Sequence, residues 1–314
     1  MMARYLVTGG AGFIGSHVVE ALVAKGHQVR VLDDLSSGRL ENLQGVKDKV
    51  EFLKGDIRDR NLVAKAVQGI ERIIHEAAWR SVPKSMGDAV GYFDVDTLAV
   101  ANLLDQAVKA KVQRAVCVSS SSVYGDTQKF PQAEDDPVHP LSPYGGAKLA
   151  GEVVCETFYR AYGLETVALR YFNVFGPRQS LEDEYAVVIP KFIVSLMRKE
   201  SPPVYSDGKQ SRDFTYVSNV VEATVLSSEV PGIGGEVLNI ALGEEHTVLD
   251  ILDELNKIMG LSIKPAFKPP RPGDVRRTLV DPSKTHRLLK WKGSVPFAEG
   301  LKRTVAWFRE HPPA

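Results

Sequence analysis

The chain has 314 residues, enough for one large core or for a main domain carrying a smaller second lobe. Hydrophobic residues make up 44% and charged residues 25%, the balance of an ordinary globular protein rather than of a disordered or fibrous one. Lysine plus arginine equals aspartate plus glutamate at 39 each, so no net field draws the protein to nucleic acid or to an anionic membrane.

In chain order, short and continuously apolar runs rich in β-formers fall at residues 4–7, 29–32, 50–53, 72–74, 114–118 and 166–170. Helical patterns lie between them, at 15–25, 60–68, 98–110 and 148–161. This alternation predicts an α/β protein with a doubly wound parallel sheet covered on both faces. After Phe172 the elements shorten, and prolines at 177, 190, 202, 203, 269, 270 and 272 interrupt them. No apolar run approaches the ~20 residues of a membrane span. Residues 1–8 run straight into a glycine loop, unlike a signal peptide. The two cysteines, Cys117 and Cys155, sit in apolar segments and are expected as buried thiols in a reducing, cytoplasmic setting. His17, His27, His75 and His139 lack metal-ligand spacing, so no metal is expected.

The first strand runs into Thr8-Gly9-Gly10-Ala11-Gly12-Phe13-Ile14-Gly15. Gly10, Gly12 and Gly15 satisfy GxGxxG, and Gly9, Gly12 and Gly15 the related GxxGxxG. Glycines here permit a tight turn, close approach of backbone to a pyrophosphate and close packing of helix on strand. The helix starting near Phe13 then offers free N–H groups and its positive end to phosphate. The second strand ends in Asp33, about 20 residues on, where a carboxylate can accept from ribose hydroxyls. A carboxylate there opposes a 2′-phosphate and favours NAD over NADP, with Arg39 as a nearby cation that keeps NADP open. Asp56-Ile57 after the third strand is either an adenine-pocket edge or a simple turn. The expected organisation is a Rossmann-type NAD-binding domain over 1–172, joined by a later segment near 213–243, and a smaller C-terminal substrate-binding α/β lobe over 173–314.

Ser142-Pro143-Tyr144-Gly145-Gly146-Ala147-Lys148 predicts a helix start, with Ser142 as cap and Pro143 as first helical residue. Tyr144 and Lys148 then share one face, and a cation beside a phenol favours phenolate, making Tyr144 a usable general base. YxxxK alone recurs by chance. Here the strand 114–118 also ends in Ser119-Ser120-Ser121-Ser122-Val123-Tyr124-Gly125, placing hydroxyls at a carboxyl strand end, where such sheets bind ligands.

TGGAGFIGSH, HEAA (75–78), SSSSVYGD, SPYGGAK and LRYFNVFGPR (169–178) together resemble the extended short-chain dehydrogenases that act on nucleotide sugars, and most of all the UDP-hexose 4-epimerases. The likeness extends through RDFTYV (212–217) to RPGD (271–274). It implies a tightly held NAD, contacted by Gly9, Gly12, Phe13, Ile14, Gly15, Asp33, Asp56, Ile57, Ala77, Ala78, Ser119, Tyr144, Lys148 and Tyr171. It implies Ser120, Tyr144 and Lys148 as catalytic residues. For a UDP-sugar it implies Ser81, Val82, Ser120, Ser121, Ser122, Tyr144, Asn173, Val188, Tyr205, Arg212, Arg271, Asp274 and Thr278. Arg212 and Arg271 would neutralise the diphosphate, a use that suits the guanidinium fork.

The family's Asn-x-x-Gly before the fifth strand is Asp96-Thr97-Leu98-Ala99 here, and Asp96 is expected to stand in as a helix cap. Related 4,6-dehydratases carry an Asp-Glu pair where Ser121-Ser122 stand, and related decarboxylases a Glu, so the loop fits C4 epimerisation. UDP-glucuronate 4-epimerases share a serine-rich loop and remain the alternative. Ser81-Val82-Pro83-Lys84-Ser85 and the stretch 185–191 resemble the UDP-N-acetylglucosamine 4-epimerases. Thr278 stands where epimerases restricted to plain hexoses carry a bulky Tyr; it is either the opening for a 2-acetamido group or an ordinary edge residue. The helical stretches 98–110 and 147–161 either pair across a homodimer, as in this family, or only cover the sheet. A non-catalytic NAD-binding regulator would carry a broken Ser/Tyr/Lys set, and a reductase would release its cofactor each cycle.

Overall fold

In the computed structural model, which describes residues 2–181, 188–270 and 275–312, the apolar runs form one parallel sheet. Its strands are β1 (Arg4–Thr8), β2 (Gln28–Asp33), β3 (Val50–Lys54), β4 (Arg72–His75), β5 (Arg114–Ser120), β6 (Glu165–Tyr171) and β7 (Val237–Ile240). They lie in the order β7-β6-β5-β4-β1-β2-β3. The order reverses between β1 and β4, and this switch point opens a crevice beyond their carboxyl ends.

Period-two alternation sends successive side chains to opposite faces. Tyr5 and Val7 pack into one buried cluster with Val18 and Leu22, while Leu6 joins a second with Leu103 and Leu104. The helices that cover these faces are α1 (Phe13–Ala24), α2 (Arg60–Ala66), α3 (Val82–Gly87), α4 (Ala89–Phe93), α5 (Ala99–Lys109), α6 (Pro143–Tyr162), α7 (Val188–Met197), α8 (Val217–Glu229), α9 (Val248–Met259), α10 (Ser283–Leu289) and α11 (Phe297–Glu310). α1 packs with α8 on one side, and α5 with α2 and α6 on the other. Between α4 and α5 the chain makes a π-helical turn, Asp94–Leu98. α6 begins as its residues dictate: the Ser142 hydroxyl accepts from Gly145 N at 3.1 Å, Pro143 is the first helical residue, and Gly163 closes the helix at φ 70°.

After β6 the chain builds short pairings: Val174–Phe175 with Thr215–Tyr216, Ser211–Asp213 with Glu245–Thr247, and Pro203–Tyr205 with Ala266–Lys268. Their supporting helices share the core cluster of the sheet, through Phe192, Ile251, Phe297 and Leu301. Cys117 and Cys155 are buried free thiols. Among the described residues no helix is long and apolar enough to cross a membrane.

Candidate active site

A groove of about 840 Å³ runs along the carboxyl ends of β1, β2, β4, β5 and β6. Its floor is the glycine loop. Gly9 has φ 67°, and a Cβ on it would lie 2.6 Å from Ala77 N; a Cβ on Gly15 would lie 2.2 Å from Gly9 O. Only glycine lets α1 approach the end of β1 this closely. Gly12 caps α1 with no side-chain bond, which leaves the helix N-terminus to the groove. Gly9, Gly12, Phe13, Ile14, Gly15, Asp33, Asp56, Ile57, Ala77, Ala78, Ser119, Tyr144, Lys148 and Tyr171 all line this one space. A bare helix N-terminus, a cradle that any Cβ would fill and an acid at the end of β2 fit a dinucleotide.

Asp33 also holds the loop itself: its carboxylate accepts from Ala11 N at 2.9 Å and Leu35 N at 2.8 Å. Burial raises its pKa against those two bonds. Asp56 is clasped by Arg58, with Nη2 at 2.6 Å, and that hydrogen bond lowers its pKa. Arg58 also reaches Asp94 at 3.3 Å and lies 5.7 Å over the ring of Trp79. Trp79 meets Tyr92 edge-on at 5.5 Å, and Tyr92 meets Tyr144 at 6.2 Å, so an aromatic chain runs from the rim to the tyrosine of YxxxK. Sequence reasoning missed Arg58, Trp79 and Tyr92, since no spacing marks such a chain.

Tyr144 and Lys148 stand one turn apart on α6 and both face the groove. The Lys148 ammonium is buried; it donates to Val118 O at 3.2 Å and lies 3.5 Å from Asp96 Oδ1. Asp96 is therefore not the helix cap expected from the sequence. It lies inside the π-helical turn, makes no cap, and accepts from Trp79 N at 3.1 Å. The wider turn swings the carboxylate inward to the lysine rather than along the axis of α5. Burial alone would lower the Lys148 pKa, but Asp96, Tyr144 and Glu76 outweigh it and the net shift is upward.

His75 and Glu76, at the end of β4, close the cluster. His75 Nδ1 is 2.6 Å from Thr8 Oγ1, and burial, then Lys148, pulls its pKa down to about 3. Glu76 is pushed up to about 7 by burial, although Lys148 and the Tyr171 hydroxyl, donating at 2.8 Å, oppose that shift. Glu76 lines the groove; it belongs to the HEAA run, although only Ala77 and Ala78 of that run were expected at the site.

Ser120 ends β5, where its hydroxyl accepts from Ser122 N and donates to Ser122 Oγ, both at 3.2 Å. Ser121 and Ser122 follow in a short helical turn and line the groove with it. The Ser119 hydroxyl turns away to Glu152, behind the groove.

On the far side stand Ser81, Val82, Asn173, Arg212 and Thr278. Asn173 has φ 35°, and its amide donates to Asp213 O at 3.0 Å and Thr278 Oγ1 at 3.3 Å. Asp213 is buried, which pushes its pKa up to about 7 against bonds from Gly243, Val280 and Leu242. Val188, at the start of α7, and Tyr205, on the strand paired with Ala266–Lys268, are not among the described residues that line the groove. The groove's described lining comes from other elements. Arg271, Asp274 and residues 185–187 lie outside the described residues.

A doubly wound sheet with a glycine loop at its switch point and a Tyr/Lys helix above it defines the extended short-chain dehydrogenase architecture. The chain belongs to the GDP-mannose 4,6 dehydratase family within it, matching over residues 6–304. It is 39% identical to the UDP-glucose 4-epimerase of Mycolicibacterium smegmatis over 310 residues, 98% of each chain. Among solved structures it resembles UDP-N-acetylglucosamine 4-epimerase from Methanobrevibacter ruminantium in complex with UDP-N-acetylmuramic acid, with TM-score 0.94, 36% identity and 99% of both chains covered. It also resembles UDP-glucuronic acid 4-epimerase from Bacillus cereus in complex with UDP-glucuronic acid and NAD, with TM-score 0.91, 32% identity and 98% and 99% coverage.

Proposed function

We propose that this protein is an NAD-dependent 4-epimerase of UDP-sugars that interconverts UDP-N-acetylglucosamine with UDP-N-acetylgalactosamine, and UDP-glucose with UDP-galactose. The observation that carries this reading is that Ser120, Tyr144 and Lys148 all line one groove, beside a loop in which Ser121 and Ser122 stand where dehydration would need an acid and a base.

The cradle at Gly9, Gly12 and Gly15 and the end of α1 would take the pyrophosphate of NAD, with Asp33 at its adenosine ribose and Asp56 and Ile57 at the adenine. When bound, NAD supplies a hydride acceptor that returns the hydride within the same cycle. Tyr144 removes the proton from the C4 hydroxyl while C4 loses its hydride. The Lys148 ammonium favours the phenolate, and Ser120 relays the proton. The 4-keto sugar would turn over in the groove, so that C4 would regain hydride on its opposite face while Tyr144 returns the proton to the C4 oxygen. Arg212 and Asn173, with Arg271 on the strength of the family likeness alone, would hold the diphosphate, so that the uridylyl end stays anchored while the hexose rotates.

The room at Thr278 supports acceptance of the 2-acetamido group, since a threonine hydroxyl tied to Asn173 fills far less of the groove than a tyrosine ring would. The likeness to both UDP-N-acetylglucosamine and UDP-glucuronic acid 4-epimerases supports the chemistry more strongly than it does one sugar. Exposed Val90, Phe93, Leu98 and Val153 on α4, the π turn and α6 support a homodimer through these helices.

Proton NMR of the protein incubated with UDP-N-acetylglucosamine, UDP-glucose and UDP-glucuronate in parallel tests the reading. A new galacto anomeric signal in the first tube supports it. Conversion of UDP-glucuronate alone moves the substrate to that sugar, and silence in all three with NAD bound overturns the activity.

A further inference from the structure

Lys148 is paired with Asp96, and Glu76, from a separate part of the chain, adds to the negative field at its ammonium. Asp96 comes from the π-helical turn, its carboxylate 3.5 Å from the ammonium, with both side chains buried. Glu76 comes from the end of β4, where His75 also faces the lysine. The lysine's own helix contributes Tyr144, and β5 contributes the Val118 carbonyl. Asp96 has one oxygen on Trp79 N, while its second oxygen is buried with no hydrogen-bond partner. A buried carboxylate this close to a cation cancels part of the cation's field on everything beyond it, because little water lies between to screen either charge.

We propose that Asp96 is a positioning residue of the Ser120/Tyr144/Lys148 set: its charge fixes the Lys148 ammonium beneath the groove and offsets the ammonium's field at Tyr144, which moves proton abstraction to a more alkaline range. The proposal rests on Tyr144 acting as the base under the function proposed above. Upward displacement of the Lys148 pKa agrees with it, since a cation paired with Asp96 gives up its proton less readily. Burial raises the Asp96 carboxyl, and the lysine opposes that rise. Glu76 is pushed up to about 7 and His75 down to about 3, while among the described residues Asp96 is the acid paired with the ammonium, at 3.5 Å.

Asp96→Asn tests this directly, because the amide keeps the shape and an oxygen for Trp79 N and removes only the charge. In the cofactor-loaded enzyme, phenolate difference absorbance is titrated for the wild type and for Asp96→Asn, each minus its Tyr144→Phe counterpart. The Tyr144 midpoint is expected to fall by about one pH unit in the amide variant. Asp96→Ser, neutral and smaller, should move it the same way, and the acidic limb of the kcat profile should follow. Midpoints that coincide with the wild type, or a shift in only one of the two neutral variants, would overturn the proposal. A shifted titration in protein that converts no UDP-sugar supports the role of Asp96 while removing the substrate assignment, which keeps the two readings separable.

Discussion

Arg170 and Glu152 meet in a two-point ion pair behind the serine loop, with Nε 2.9 Å from Oε1 and Nη2 2.8 Å from Oε2, both side chains buried. The same guanidinium donates to the Tyr124 hydroxyl at 2.8 Å, and Glu152 receives the Ser119 hydroxyl. One buried pair thus ties β5, α6 and β6 together directly beneath the proposed catalytic groups. Replacing Arg170 with Met should leave Glu152 unpaired in the core and lower stability by about 3–5 kcal/mol. Urea denaturation measures this, and a loss below 1 kcal/mol would show that water reaches the carboxylate.

Tyr144→Phe removes the hydroxyl and keeps the ring packed edge-on against Tyr92. NAD content should stay at the wild-type level while 4-epimerisation falls by at least 10²–10⁴-fold, the usual contribution of a positioned base. Cofactor absorbance and proton NMR of product read the two effects separately. Activity within tenfold of wild type would remove Tyr144 from its role.

Thr278→Tyr should close the space beside Asn173. The expected result is a loss of more than tenfold in kcat/KM for UDP-N-acetylglucosamine with UDP-glucose largely spared. Equal losses on the two sugars would mean that the new ring disturbs Asn173 or Asp213 N, both of which hydrogen-bond the threonine hydroxyl, rather than excluding the acetamido group.

His75 and Glu76, adjacent in sequence, should pull stability in opposite directions with pH. His75 has its pKa lowered from 6.5 to about 3, so it stabilises the fold above the unfolded value, and that contribution is lost as pH falls. Glu76 is raised from 4.5 to about 7, so its contribution is present at low pH and is lost as pH rises towards 7. Between pH 4.5 and 6.5 the two slopes cancel. Glu76→Gln should therefore make stability rise with pH in that window by up to ~1.4 kcal/mol per unit more than in the wild type. Denaturation at a series of pH values, with cofactor content held constant, measures the slope; an unchanged slope would mean Glu76 is ionised in the fold.

Much of the architecture was legible because it rests on local physics. Continuous apolar runs between amphipathic stretches require a covered parallel sheet, and Ser142-Pro143 can hardly do anything but start a helix. The glycine loop was equally plain, since Gly9 and Gly15 occupy places where backbone meets backbone. What the sequence hid lies between segments far apart in it. Asp96 looked like a helix cap because a cap is the commonest use of an acid before a helical pattern; nothing local announces a π turn or a lysine 52 positions later. Glu76, quoted only as part of the HEAA run, and Arg58 are hidden for the same reason, each becoming special only through a partner that folding brings to it. Tyr205 and Val188, expected as substrate contacts, lie on a strand and a helix outside the described lining of the groove.

The seventh strand, β7, completes the sheet by pairing with β6, yet it is encoded 66 residues after Tyr171, the last residue of β6, at Val237. During synthesis the edge of β6 therefore waits, its backbone amides and carbonyls open to any other extended segment, until residue 240 has cleared the ribosome. At about 5–20 residues per second that interval lasts roughly 3–14 s. Val167 and Leu169, which pack into the core that α8 helps to complete, wait likewise until Val217–Glu229 has been made. The nascent chain has thus made every motif of the catalytic set before β6 gains its outer neighbour, and a ribosome stalled between residues 171 and 237 would present them on a sheet that still lacks β7.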